Sequence, residues 1–306
     1  MSYILAVVTV AIFLAKTNGR HLIRRRRLIR GVVLPLILIL SIIPVLYVKI
    51  APYQIRVHQQ NINTGKLTNE IKIALMSDTH FRPLKRAAFM EKVAEHLEQI
   101  KPNLILFAGD FLFYNNAEKY RQDFDTFKKI SAIAPTYAVL GNHDYGIGNK
   151  SRSMRYKDDS KKIKKYLEEN GVRVLIDESV KLEISGQKFW LIGFDEFWKE
   201  EKNPAQAIAN INDTLLKIGL SHNPDTSYLP EAKIIDLMLS AHTHGGQIRL
   251  PGKDALVGAE TDFPREFYGR FIDKTIPKMF NTSGLGESGF AIRAFNPPEI
   301  AILNVR

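Results

Sequence analysis

The run Ile71-Lys72-Ile73-Ala74-Leu75-Met76-Ser77-Asp78-Thr79-His80 decides the architecture. A short apolar stretch followed at once by a charged residue reads as a buried strand with a polar group at its C-terminal tip. The pattern recurs along the chain. Leu104–Ala108 runs into Gly109-Asp110, and residues 136–140 run into Gly141-Asn142-His143-Asp144. Leu216–Leu220 runs into Ser221-His222, and residues 236–239 lead to Ala241-His242-Thr243-His244. In open α/β sheets ligands bind outside the carboxyl ends of the strands. Five polar tips far apart in sequence are therefore expected to meet in one place.

Helical patterns separate these runs. Residues 85–100 carry Phe89, Val93, Leu97 and Ile100 at helical spacing. Residues 117–130, 160–170 (stopping at Gly171) and 205–212 also read as helices. Strands are denser in the second half, at 172–176, 180–184 and 189–193, then at 279–282, 291–294 and 300–305. Residues 52–70 read as a linker or an edge strand, and 251–277 as a long loop. Two sheets packed face to face with helices outside account for this order, which is an α/β class.

The tips carry Asp78, His80, Asp110, Asn142, His222, His242 and His244. His242 and His244 stand two apart, so on an extended segment they project to one side. Oxygen and imidazole donors suit divalent Mn, Fe, Zn, Co or Ni. The chain has no Cys, which excludes a thiolate nucleophile, a Cys-ligated zinc and an iron–sulfur cluster. One catalytic ion uses about three protein ligands. Seven candidates suit two ions sharing a carboxylate, an arrangement able to clamp a phosphoryl group. His143 is then left over as a charge stabiliser or proton donor, with Asp144 placed to hold its ring.

Asp78-Thr79-His80, Gly109-Asp110, Gly141-Asn142-His143-Asp144, His222 and Ala241-His242-Thr243-His244 resemble, in order and spacing, the calcineurin-like metallophosphoesterase superfamily. The departure is Ala241, where that motif has Gly; the expected geometric effect is small unless the residue needs a positive φ. His242-Thr243-His244-Gly245-Gly246-Gln247, Gly284-Leu285-Gly286, Arg293 and Pro297-Pro298-Glu299-Ile300 resemble its branch of membrane-associated bacterial phosphodiesterases. That branch includes an exported cell-wall type and a UDP-2,3-diacylglucosamine pyrophosphatase type of lipid A synthesis. The resemblance covers residues 71–306 and implies a four-layer α/β/β/α sandwich. It implies Asp78, His80 and His244 on one metal, Asn142, His222 and His242 on the other, and Asp110 bridging. It also implies His143 acting on the substrate with Asp144 orienting it, and hydrolysis by a metal-bridging hydroxide.

The 306 residues carry a formal charge of +11, and its location matters. Residues 1–51 hold eight basic residues and no acidic one, so the excess belongs to the N-terminus and not to a nucleic-acid-binding domain. Two apolar runs, 3–15 and 32–48, flank a basic loop at 16–30. The second run, 17 residues, is at the short end of a spanning helix. Residues 1–51 are therefore expected to form a membrane anchor, 52–70 a linker and 71–306 the catalytic domain. Seven basic residues between Lys16 and Arg30 predict a cytoplasmic loop and an extracytoplasmic domain.

The expected partner is a phosphoester substrate at or in the membrane. A cytoplasmic domain acting on UDP-2,3-diacylglucosamine is the alternative, and an inactive metal-binding scaffold a further one. Arg82 and Arg293 are candidates for phosphate contact. Phe111, Phe113 and Tyr114 are candidates for an acyl chain, with core packing as the plainer reading.

Overall fold

The computed structural model describes residues 29–83, 85–113, 116–250, 252–275 and 277–306. The first apolar run, most of the basic loop and Tyr114 lie outside the described residues. The chain divides into two compact units between Val48 and Lys49.

A π-helical turn, Ile29–Val33, lies in the first unit and leads into helix α1, Leu34–Ile50, whose last two residues belong to the second. It has 17 residues, and among the described residues no helix is long and apolar enough to cross a membrane. The transmembrane helix expected at 32–48 is thus not supported by the helix that forms there.

The second unit holds two six-stranded mixed sheets. The first comprises β1 (Arg56–Ile62), β2 (Ile71–Met76), β3 (Leu104–Ala108), β4 (Thr136–Val139), β5 (Val172–Val174) and β12 (Glu299–Val305), in the order β1-β12-β2-β3-β4-β5. The second comprises β6 (Glu178–Ile184), β7 (Gln187–Gly193), β8 (Leu216–Leu220), β9 (Leu237–Ser240), β10 (Phe271–Ile272) and β11 (Lys278–Asn281), in the order β10-β11-β9-β8-β7-β6. Residues 52–70 thus supply an edge strand, β1, as well as a linker. β2, β3 and β4 pair in parallel, as do β7, β8 and β9.

Three apolar clusters make four layers. Ile73, Leu75, Leu106, Leu191, Ile218 and Leu239 fill the space between the sheets. Met76, Phe107 and Ala138 point the other way, under α2 (Ala87–Ile100), α3 (Phe127–Ile133) and α4 (Ser160–Glu169). Ile192 and Met238 pack under the short helix α5 (Pro204–Ile208) and the turn at Pro230–Ile234. The alternation along each strand sends successive side chains to opposite faces, so both faces of both sheets are covered.

Three elements differ from the sequence reading, the first being 251–277, read as a loop, which carries a 3₁₀ turn at Arg265–Phe267 and strand β10. Ala117–Thr126 is a 3₁₀ segment before α3, and its Asp123 carboxylate accepts from Arg86 and from the Ala87 N–H. Residues 291–294 form no strand; Ala294 makes one isolated bridge, to Ile248.

Candidate metal centre

Every expected strand tip lies at one end of the two sheets. Asp78 and His80 follow β2, Asp110 follows β3, Asn142 and His143 follow β4, His222 follows β8, and His242 and His244 follow β9. Parallel pairing within each sheet carries these tips to the same side. Close approach there needs glycine: a Cβ at Gly109 (φ +82°) would lie 2.6 Å from the Gly141 amide nitrogen. A Cβ at Gly141 would collide with the Asp110 carboxylate. Asp78, His80, Asp110, His242 and His244 all have φ between 43° and 68°. Left-handed backbone at a non-glycine residue costs energy and concentrates at functional sites. Ala241 is not among the positive-φ residues, so its methyl group is accommodated as expected.

The donor atoms form two groups that share one oxygen. In the first, His244 Nε2 lies 3.4 Å from Asp78 Oδ1, and His80 Nε2 lies 3.3 Å from His244 Nε2 and 3.5 Å from Asp110 Oδ2. In the second, His222 Nε2 lies 3.3 Å from the same Asp110 Oδ2, 3.1 Å from Asn142 Oδ1 and 3.2 Å from His242 Nδ1. All seven residues are buried.

The opposite ring nitrogens are held by backbone. His80 Nδ1 faces the Leu112 carbonyl at 3.3 Å, His244 Nδ1 that of Gly286 at 3.1 Å, and His222 Nδ1 that of Ala108 at 2.7 Å. His242 Nε2 faces the Glu260 carbonyl at 3.4 Å. A ring N–H donated to a carbonyl leaves the other nitrogen with its lone pair facing the cluster, which is how ligating imidazoles are oriented. Burial holds His80 and His244 well below the usual imidazole range, and burial with His222 beside it takes His242 down to about 3. Burial also depresses His222, but Asp110 outweighs it and lifts the ring to about 10, so this imidazole gives up a proton when it ligates a cation. Burial pushes Asp78 up to about 7, and its buried Oδ1 makes no hydrogen bond among the described residues. Lone pairs converging on an orphaned carboxylate oxygen fit divalent cations.

His143 is only partly buried and lines a cavity of about 290 Å³ beside Asp110 and His242. Its Nδ1 lies 3.1 Å from the Phe113 carbonyl, and its ring stacks on Phe113 at 5.5 Å. The expectation that Asp144 holds this ring is corrected. The Asp144 carboxylate accepts from the backbone N–H groups of Asp110, Phe111, Leu112 and Gly141. It ties the loop after β3 to the loop after β4, and the Phe113 carbonyl orients the imidazole.

Arg82 and Arg293 are also placed differently. Both are buried. Arg293 donates to the carbonyls of Ser283, Gly284, Gly286 and Asn296, and Arg82 to that of Glu287. With Lys85, whose Nζ lies 2.6 Å from Glu287 Oε1, they brace the loop that presents Gly286 to His244. Phe111 is core, packed on Phe107 and Phe127.

Sequence reading passed over four residues. Asp225 accepts from Asp262 and Phe263 N–H and fixes the loop whose Glu260 carbonyl meets His242. Asn281 donates 2.7 Å to the Ala241 carbonyl. Glu196 is buried, which raises it to about 7, and Trp198 sets its ring edge-on to His242 at 4.8 Å. Glu196 and Trp198 follow the tip of β7, so the strand-tip rule applied once more would have found them.

The calcineurin-like phosphoesterase family model matches residues 71–246. Phosphodiesterase YaeI of Escherichia coli (strain K12) is 30% identical over 241 residues, covering 76% of this chain and 82% of that protein. UDP-2,3-diacylglucosamine pyrophosphatase LpxG of Chlamydia muridarum (strain MoPn / Nigg) is 26% identical over 278 residues, covering 76% and 83%. A metallophosphoesterase of Aquifex aeolicus (strain VF5) is 28% identical over 275 residues, covering 85% and 95%. The match takes in all the strand tips just described, and this chain is a member of the calcineurin-like phosphoesterase family, a hydrolase of phosphoric esters.

Proposed function

We propose that the chain is a dimetal phosphodiesterase or pyrophosphatase, tethered to a membrane and acting on a membrane-associated substrate. One observation carries the dimetal reading: two groups of donor atoms share Asp110 Oδ2. Asp78, His80 and His244 would hold one cation, Asn142, His222 and His242 the other, and Asp110 both. When bound, such a pair neutralises phosphoryl oxygens and lowers the pKa of the water that attacks phosphorus. The protein's own part is to fix the donors before substrate arrives. His143, held through Nδ1 and open to the cavity, stabilises charge on the phosphoryl oxygens or protonates the leaving oxygen. Gly284 leaves room beside Asp78, where a Cβ would lie 2.5 Å from Oδ2.

The tether reading rests on sequence: an apolar run over 32–48 preceded by seven basic residues in 16–30. That bias keeps the basic loop cytoplasmic and puts the catalytic unit outside. A cytoplasmic unit hydrolysing UDP-2,3-diacylglucosamine is the second reading, favoured by the likeness to LpxG. A reporter fused after Arg306 separates them: phosphatase-type reporter activity supports the external placement, and cytoplasmic fluorescence the second reading. Turnover of bis(p-nitrophenyl) phosphate that depends on added Mn²⁺, and that Asp110→Asn abolishes, tests the chemistry. A protein that binds metal yet turns over no phosphoester is a scaffold, and the hydrolase reading fails.

A further inference from the structure

Three segments lie side by side at the mouth of the cavity. Arg249 N–H donates to the Ala294 carbonyl at 2.9 Å and Leu256 N–H to the Ile248 carbonyl at 3.0 Å. The Gln247 amide reaches the Phe290 carbonyl at 3.0 Å and accepts from Ser288 N–H. On this assembly Leu250, Leu256, Val257 and Phe290 are each half or more exposed, Phe290 by 83%. Val257 and the neighbours of Phe290, Ser288 and Gly289, line the cavity itself. Scattered exposed apolar residues are ordinary, but four large ones grouped at the rim of a reaction cavity mark an interaction surface.

The path of the chain identifies the partner. Arg56 of β1 pairs with Glu299 of β12, and β12 runs antiparallel to β2. The start of β1 therefore lies at the end of the sheet that carries Asp78. Five residues lie between Ile50, where helix α1 ends, and Arg56, where β1 begins. The chain therefore enters the strands of the catalytic unit at the metal-centre end, where the apolar rim is.

We infer that this rim, Leu250, Leu256, Val257 and Phe290, docks on the surface of a lipid bilayer and holds the cavity mouth against it. The inference deepens the membrane-tethered reading above and rests on it. Docking shortens the path of a lipid-borne phosphoester to His143 and excludes bulk water from the mouth.

The Cys-free chain allows single thiols to be placed at will. Leu256→Cys and Phe290→Cys would be labelled with an environment-sensitive fluorophore in the full chain, reconstituted into vesicles of phosphatidylcholine and phosphatidylglycerol bearing a lipid nitroxide. Ser185→Cys is the control, in the exposed β6–β7 turn at the opposite end of its sheet. The expected result is several-fold stronger quenching at 256 and 290 than at 185. Equal quenching at the three sites overturns the inference. A label shielded from water but untouched by lipid nitroxide, in a species with the mass of a dimer, assigns the rim to a second copy and also overturns it. Flotation of the vesicles reports tethering separately, and bis(p-nitrophenyl) phosphate turnover reports the chemistry. The double variant Leu256→Ser/Phe290→Ser is expected to keep that soluble turnover while losing quenching at a label on Leu250→Cys.

Discussion

His80 and His244 face each other through Nε2 atoms 3.3 Å apart, each with its Nδ1 against a backbone carbonyl. Two lone pairs pointed together repel. The fold holds them there, so a cation placed beside them relieves that repulsion. Divalent metal is therefore expected to raise the unfolding temperature and chelation to lower it. A ligand at 100 times its dissociation constant adds about 2.7 kcal/mol. Scanning calorimetry with and without Mn²⁺ checks this, and elemental analysis should find two ions in wild type and fewer in His80→Ala.

His143 should behave differently from the ligands. His143→Ala is expected to lower kcat about 10²- to 10⁴-fold, the usual range for a lost acid or charge stabiliser. Metal content should stay at the wild-type value. Loss of metal in this variant would place His143 among the ligands instead.

Asp144 acts on the loops. Its carboxylate accepts four backbone N–H groups from two segments. Asp144→Ala leaves those donors buried and unpaired, at about 1–3 kcal/mol for each such group. An unfolding free energy lowered by at least ~3 kcal/mol, read by denaturant titration, is expected, and metal affinity should fall with it because Asp110 lies in one of those loops.

Arg293 is buried with its Nε 3.4 Å from Glu287 Oε1, and it holds four carbonyls of the segment 283–296. Arg293→Met should destabilise by about 1–3 kcal/mol for each buried carbonyl it leaves without a donor, while Lys85 stays on the Glu287 carboxylate. Urea titration measures it. A variant of wild-type stability with weakened substrate binding would restore the phosphate-contact reading.

Glu299 gives a pH dependence. Burial alone would raise its carboxyl, but the His58 ring at 3.2 Å and Arg56 at 2.7 Å outweigh burial and hold it below the usual range. A depressed folded pKa contributes stability above the unfolded value, about 4.3, and that contribution is lost as pH falls through the folded one. Wild type should therefore lose stability below about pH 4 more steeply than Glu299→Gln, as read by denaturant midpoints at pH 6 and pH 3.5.

The strand tips were legible because each is a local event: an apolar run, then a donor. β2, β3 and β8 fall within a residue of the sequence reading, and the structure brings the seven candidate donors together. What the sequence hid is non-local. Asp144 sits beside His143 in the chain yet serves amides 32 to 34 residues earlier. Arg293 resembles any phosphate-binding arginine until its carbonyl partners are seen. Residues 291–294 have strand composition but find a single bridge instead of a ladder.

β12 sits between β1 and β2, so these two strands, neighbours in the chain, are joined in the sheet only through a strand that comes far later in the sequence. The first sheet therefore stays split until β12 is in place, and Gly284, whose carbonyl accepts the Glu299 N–H, lacks that anchor without it. Loss of β12 (Glu299–Val305) would accordingly leave a chain with an unclosed seam beside its reaction centre.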